Sequence, residues 1–214
     1  MGLRTGAGNE AGLQMLSGRM GYNRVAVTLH WLIAAAILTL LASGLWMTDA
    51  IKVPATQATA FTVYQWHKSL GLTVLVLSLA RLAWRLFSPP PPLPSNMGPM
   101  SRLAARGAHA AFYILMIGLP LVGWAMVSAS IYGLPTLVFG LFEWPHISLL
   151  ANLEDKAPVE AAFRTAHQIG GYLMIALLIL HVAAALKHHF IDRDHVLAAM
   201  LPLIRTPSDA RMER

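Results

Sequence analysis

His167 and His181 lie on one uninterrupted apolar stretch, Ala166 to His188 (AHQIGGYLMIALLILHVAAALKH). Fourteen helical residues at about 100° each return to within roughly 40° of the starting direction, so the two imidazoles share a helix face. At about 1.5 Å per residue they stand about 21 Å apart along the axis, most of the depth of a hydrocarbon core. Imidazole is a metal ligand and a proton carrier, so one near each end of a membrane helix suits two stacked metal cofactors. A lone histidine in such a helix is more often a hydrogen-bonded core residue. The pair gains its meaning from partner histidines at matching depths on other helices.

The elements that must place those partners follow from composition and spacing. With 56% hydrophobic and 12% charged residues and a mean hydropathy of +0.55, the 214-residue chain has too few charges to cover a soluble globule. The expected class is all-α, an integral membrane four-helix bundle. Residues 1–20 (MGLRTGAGNEAGLQMLSGRM) are Gly-rich without a sustained apolar run and are expected to form a disordered cytoplasmic tail, not a signal peptide. Gly6 stands where a myristoylation signal wants Ser or Thr. The four-helix unit is expected over 21–202 and a polar tail over 203–214.

Within that unit the first helix is expected from Arg24 to Met47 and the second from Tyr64 to Phe87, joined by an extramembrane segment 48–62. The run SPPPPLPSNMGP (88–99) stops the second helix, because consecutive prolines cannot donate to a helical ladder. A third helix is expected from Leu103 to Ser130, with Pro120 as a kink, and a fourth from Val159 to Phe190. Between them lies the longest loop, 131–160, with Trp144, His146, Glu154, Asp155 and Glu160.

Lysine and arginine set the orientation. Arg4, Arg19, Arg24, Arg85, Arg102, Arg106, Lys187, Arg193, Arg205, Arg211 and Arg214 fall on one side, and only Lys52, Lys68, Lys156 and Arg164 on the other. The positive-inside rule then places both termini in the cytoplasm. The net charge of +6 is that of basic cytoplasmic ends and does not point to nucleic acid. Depth sorts the histidines: His67 and His167 near the outer ends of their helices, and His30, His109 and His181 near the inner side.

The outer layer offers one pair, the inner layer three imidazoles for two axial positions. Zero cysteines exclude iron–sulfur clusters, thiolate zinc and thioether-linked cofactors. Haem wants paired imidazoles, since its macrocycle supplies the other four nitrogens and a bundle can hold its plane between helices. Gly44, fourteen residues after His30, shares its face at the outer level, and Gly71, Gly170 and Gly171 lie one turn from outer histidines. Missing side chains there give a porphyrin edge room, although small residues also favour ordinary helix packing. Arg81, fourteen residues after His67, falls on that histidine's face at the inner level, where its guanidinium suits a haem propionate.

LHWL in the first helix, WHKSLG opening the second, the proline-rich linker, GAHAAFYILMIGLP in the third and AHQIGGYLMIALLILHVAAALKHHF in the fourth together carry a resemblance. From Tyr22 to Pro202 the chain resembles the bacterial four-helix cytochrome b561 family. That family includes superoxide:ubiquinone oxidoreductases and is similar to the cytochrome b subunits of respiratory hydrogenases and formate dehydrogenases. The resemblance implies a bacterial inner-membrane protein with two haem b groups. His30 with His181 would hold the inner one and His67 with His167 the outer. The N-terminal tail is longer than is usual for the family.

Two axial imidazoles saturate an iron, so such a centre exchanges electrons without binding reactants. The resemblance then implies oxidation of periplasmic superoxide and reduction of ubiquinone. The alternative is a cytochrome b subunit taking electrons from a periplasmic hydrogenase or dehydrogenase, that is, from a protein partner. A histidine-based metal transporter fits less well, since no carboxylates line the helices with the histidines. Lys68 beside His67 and Arg164 one turn before His167, with Lys52 nearby, would steer the anion. His109 and His188, the latter on nearly the face of His181 and among Lys187, His189 and Asp192, would serve the quinone and its protons.

Overall fold

Each apolar segment becomes one long helix in the computed structural model, which describes residues 23–90, 92, 97–194 and 196–201. In chain order these are α1 (Arg24–Ala50), α2 (Gln57–Phe87) and α3 (Pro99–Ser128), then a hairpin of β1 (Thr136–Val138) and β2 (Phe142–Trp144), a short α4 (Ser148–Ala151) and α5 (Ala157–Lys187). A π-helical turn (His188–Asp192) and a short α6 (Val196–Met200) follow. The two tails expected at 1–20 and 203–214 lie outside the described residues. α1, α2, α3 and α5, the last with its π turn, are long and apolar enough to cross a membrane. Their outward faces carry exposed Leu38, Val76, Ile114 and Ile179, the residues a lipid environment covers.

The first helix starts at Arg24 as read off the sequence, whereas the other three long helices start earlier than expected. α2 begins at Gln57, seven residues before Tyr64, because no breaker follows Pro54 and the polar first turns stand above the apolar zone. α3 begins at Pro99, whose missing N–H costs nothing in a first turn, and ends at Ser128. α5 likewise carries Pro158 in its first turn. α1 is capped by Asn23, whose Oδ1 accepts from the Ala26 amide at 2.8 Å and also from Trp84 Nε1 of α2 at 3.2 Å. The start of α1 and the end of α2 therefore meet at one surface. Trp31 Nε1 donates to the Met200 carbonyl at 2.8 Å, which folds α6 back onto α1.

One spacing organises the interior. Every long helix carries three residues seven apart: His30, Ile37 and Gly44 on α1; His67, Val74 and Arg81 on α2; His109, Met116 and Gly123 on α3; His167, Met174 and His181 on α5. Two turns bring the chain back to nearly the same face, so each set points one way. The four midpoints, Ile37, Val74, Met116 and Met174, are buried in one core cluster with Ile33 and Ala36. Because neighbouring helices run antiparallel, Gly44, His67, Gly123 and His167 share the outer level. His30, Arg81, His109 and His181 share the inner one. An apolar plug separates two polar layers about 21 Å apart.

Helix packing is uneven. α1 packs on α2, α2 on α3 and α3 on α5, whereas neither α1 nor α2 packs closely on α5 among the described residues. α3 meets α5 at a glycine: a Cβ on Gly170 would lie 2.5 Å from Leu119 Cδ2. That glycine lets the two helices approach closely.

The 131–160 loop is more built than its composition indicated. The hairpin pairs Thr136 with Trp144 and Val138 with Phe142. Gln65 and Lys68 of α2 both donate to the Pro135 carbonyl, at 3.0 and 2.8 Å. Ser69 Oγ donates to the Leu137 carbonyl and accepts from the Phe139 amide. On α3, Trp124 Nε1 donates to the Pro145 carbonyl and Ser128 Oγ accepts from the Ile147 amide. On α5, Glu160 accepts from the Ile131 amide at 3.0 Å. The loop is thus strapped across three helices at the outer level.

Candidate functional site

His67 on α2 and His167 on α5 face each other with ring centroids 6.3 Å apart and planes inclined at 66°. At the inner level His30 on α1 and His181 on α5 repeat the arrangement, again at 6.3 Å, with planes at 60°. Metal–imidazole bonds of about 2.0–2.1 Å, with about 1.1 Å from each nitrogen to its ring centre, put two trans imidazoles about 6.3 Å apart. Both pairs therefore have the separation at which one metal bridges two rings.

Ser43 Oγ lies 3.1 Å from His67 Nδ1. With Nδ1–H donating to that hydroxyl, Nε2 carries the lone pair, the tautomer a metal ligand needs. His167 differs: the Leu119 backbone lies against it, but its buried Nδ1 makes no hydrogen bond of good geometry.

The glycines divide by role. A Cβ on Gly44 would lie 3.2 Å from His67 Cε1, so Gly44 makes room for the imidazole itself. Gly123 on α3 does the same for His167, at 3.2 Å from Cε1. It is absent from the candidates picked out by spacing, although its place fourteen residues after His109 repeats that of Gly44 after His30. Gly71 and Gly171 would project a Cβ into open space, with nothing within 4 Å.

His109 lies beside the inner pair, its ring 6.2 Å from His181, and its Nδ1–H donates to the Ala105 carbonyl at 2.7 Å. Phe112 packs on the same His181 ring at 5.1 Å. Distance does not separate His109 from His30 as the partner of His181, but helix packing does. α3 lies directly against α5, whereas α1 stands off from it. A flat macrocycle needs the wider gap, which lies between His30 and His181. The outer pair also spans helices that do not pack closely, α2 and α5. Arg81 acts electrostatically on both His30 and His181, which sets its guanidinium at the inner level.

The cations foreseen as anion guides are engaged. Lys68 is half-buried and donates to the Pro135 carbonyl. Arg164, its side chain 65% exposed, is paired with Glu160, whose side chain is only 9% exposed. Lys52 bonds Asp49 at 2.8 Å, which raises the lysine amine above its ordinary value. Of the three, Lys68 alone keeps a positive charge with no carboxylate beside it in these contacts. The i,i+4 spacing of Glu160 and Arg164 is visible in the sequence although counting charges by side overlooks it; what the sequence hides is that Glu160 also takes the Ile131 amide of the loop.

At the inner end His188, its backbone in the right-handed helical region and its N–H bonded to the Ala184 carbonyl, continues α5 from His181. It opens the π turn, and its Nδ1 lies 2.6 Å from Asp194 Oδ2 and 3.2 Å from Asp192 Oδ2. Lys187 bonds the Asp192 carboxylate at 2.6 and 2.8 Å, and His189 stacks on Phe190. A histidine coupled to two carboxylates near the surface can exchange protons with water.

Comparison with known proteins agrees with this geometry. The chain is 37% identical over 182 residues to cytochrome b561 homolog 2 of Escherichia coli (strain K12), covering 84% of this chain and 90% of that one. To the probable superoxide oxidase CybB of Yersinia pestis it is 30% identical over 181 residues, 85% of this chain and 96% of the relative. Cytochrome b561 homolog 1 of Escherichia coli (strain K12) is 29% identical over 187 residues, 85% and 97% of the two chains. Residues 21–203 match the family described as prokaryotic cytochrome b561, and with its four membrane-length helices and histidine layers the chain belongs to that family of b-haem electron carriers.

Proposed function

We propose that this cytochrome takes electrons from superoxide at its outer layer and delivers them to ubiquinone at its inner layer, through two b haems. The observation that carries the reading is the pair of imidazole couples, each at 6.3 Å, at the two ends of one bundle. Likeness to a probable superoxide oxidase supports the donor. A bound b haem would supply a one-electron couple. Two superoxide anions give up one electron each and leave as oxygen; one ubiquinone takes both electrons and two protons to become ubiquinol.

In this reading His67 and His167 would hold the outer haem and His30 and His181 the inner, each supplying one-electron chemistry without binding a reactant. Arg81 compensates an inner propionate. Gly71 and Gly171 leave room beside the outer macrocycle. The plug of Ile37, Val74, Met116 and Met174 excludes water between the layers. His109 lines the inner side, and His188, tied to Asp192 and Asp194, passes protons from the cytoplasm. Lys68, with the Arg164–Glu160 pair beside it, biases approach of the anion. The protein would sit in the bacterial inner membrane with both termini cytoplasmic.

One observation favours a second reading, a periplasmic redox protein as donor. The outer hairpin exposes Leu141 (80%) and Phe142 (54%), an apolar tip suited to a protein partner. Purified protein in ubiquinone-loaded vesicles separates the two. On addition of superoxide alone, both haem bands should be reduced and ubiquinol should form in a ratio of one per two superoxide consumed. Ubiquinol formation only after a periplasmic redox protein is added would replace the first reading by the second.

A further inference from the structure

Two buried nitrogens in the outer strap have no hydrogen-bond partner among the described residues: Trp144 Nε1 and His146 Nε2. A hydrogen-bonding group taken from water and left unmet is destabilising, so two within three residues call for an acceptor. Their place is defined on both sides. Trp144 stacks on Trp124 of α3 at 5.8 Å, the intervening Pro145 carbonyl accepts from Trp124 Nε1 at 2.8 Å, and the following Ile147 amide is held by Ser128. Trp124 directly follows Gly123, which abuts His167. The other limb of the strap is fixed to Gln65, Lys68 and Ser69, the residues flanking His67. The segment with the two orphaned nitrogens is therefore held at the outer level, between helix residues that adjoin the His67 and His167 positions.

We infer that Trp144 and His146 donate hydrogen bonds to a propionate of the outer haem, His146 through its Nε2–H tautomer. This rests on the two-haem reading above. Indole N–H is only ever a donor, so its partner must be an acceptor, and a carboxylate accepts from several donors at once. The two residues then counter the propionate's negative charge where an electron is to be added, and hold the outer haem's potential up. They are positioning residues, acting on the haem's periphery and not on its iron.

Spectroelectrochemical titration of both haems in the purified protein, at mildly alkaline pH where propionates are ionised, tests this. Trp144→Phe and His146→Phe should each make the outer haem harder to reduce by up to tenfold in its equilibrium constant, about 59 mV for one electron, with the inner haem unmoved. His146→Gln, which keeps a donor, should recover most of the loss. The outer haem is identified by its absence from His67→Ala. Two haems per chain with unmoved potentials would mean that the nitrogens hold only an ordered water, and the inference fails. A shift confined to the inner haem overturns the placement. One haem per chain in the parent overturns the two-haem reading itself. Should the Phe variants not fold, resonance Raman spectra of the parent decide: the outer propionate bending band should shift in D2O, and an insensitive band overturns the hydrogen bond.

Discussion

Gly44 of α1 stands directly against the imidazole of His67 on α2, so close that a Cβ would lie 3.2 Å from Cε1; Gly123 and His167 repeat the contact on α3 and α5. Each outer histidine is thus seated on the backbone of the neighbouring helix in its packed pair.

Branched side chains at these glycines should unseat the rings. Gly44→Val and Gly123→Val place further methyls beyond a Cβ that is already tight, and a shifted ring loses its alignment with the opposing one. Each is expected to lower outer-haem occupancy at least tenfold while the inner haem stays bound. Gly44→Ala should do less, since a few tenths of an ångström suffice to relieve it. Gly71→Ala, whose Cβ meets nothing within 4 Å, is the control. Haem per chain by pyridine haemochrome and low-temperature difference spectra give the result; full outer-haem content in both valine variants would show that the glycines do not seat the ligands.

Ligand assignment follows from which helices stand apart. His67→Ala and His167→Ala should each remove the outer haem, and His30→Ala and His181→Ala the inner, leaving about one per chain in every case. His109→Ala should keep both, because α3 lies too close to α5 for a macrocycle to fit between His109 and His181. Loss of the inner haem in His109→Ala, with retention in His30→Ala, would reverse the inner pairing.

The layering of the histidines is legible in the amino-acid sequence by itself. Residues fourteen apart on a helix must share a face whatever surrounds them, and His167 and His181 each meet a partner at the expected depth. What the sequence hides depends on contacts between segments. Nothing local marks Glu160 as the partner of the Ile131 amide, or Ser69 as the anchor of a hairpin seventy residues away. The hairpin itself leaves little trace because each strand is three residues long, with Phe139 in the left-handed region at a φ of 50° and Gly140 at 74° making the turn. Gly123 is open to the same arithmetic that picks out Gly44, once His109 is treated like His30.

Removing the hairpin's anchor should loosen the strap without emptying the sites. Ser69→Ala deletes a hydroxyl that is 1% exposed as a residue and serves both Leu137 and Phe139. Leaving the Phe139 amide unmet costs about 1–3 kcal/mol, and Phe139, otherwise held by stacking on Trp66 at 5.5 Å, sits in a backbone conformation unfavourable for a bulky residue. Amide hydrogen exchange across 136–144 should accelerate roughly tenfold or more for that loss, with two haems still present. Unchanged protection would show that Gln65 and Lys68 hold the hairpin alone.

The local charge balance at the outer layer orders the last set of variants by sign. Lys68 contributes one positive charge, and the Arg164–Glu160 pair sums to zero. Glu160→Gln leaves Arg164 uncompensated and can still accept from the Ile131 amide, so it adds a positive charge with the loop anchor kept. Arg164→Gln leaves Glu160 alone, and Lys68→Gln removes the remaining cation; both shift the balance by one unit the other way. A unit charge about 10 Å from an approaching anion in water is worth about 0.4 kcal/mol, roughly twofold in encounter rate. At low salt, reduction of the outer haem by superoxide should therefore be about twofold faster in Glu160→Gln and about twofold slower in the other two. The spread should shrink near 0.15 M salt, where the Debye length is about 8 Å. Reduction of the inner haem by added ubiquinol, some 21 Å away by helical rise, should be the same in all four proteins. Rapid mixing resolves these rates, and the ordering is what distinguishes steering from damage: a disturbed loop would slow all three variants together. Rates that fail to follow the sign of the charge change would remove Lys68 and Arg164 from any part in guiding the anion.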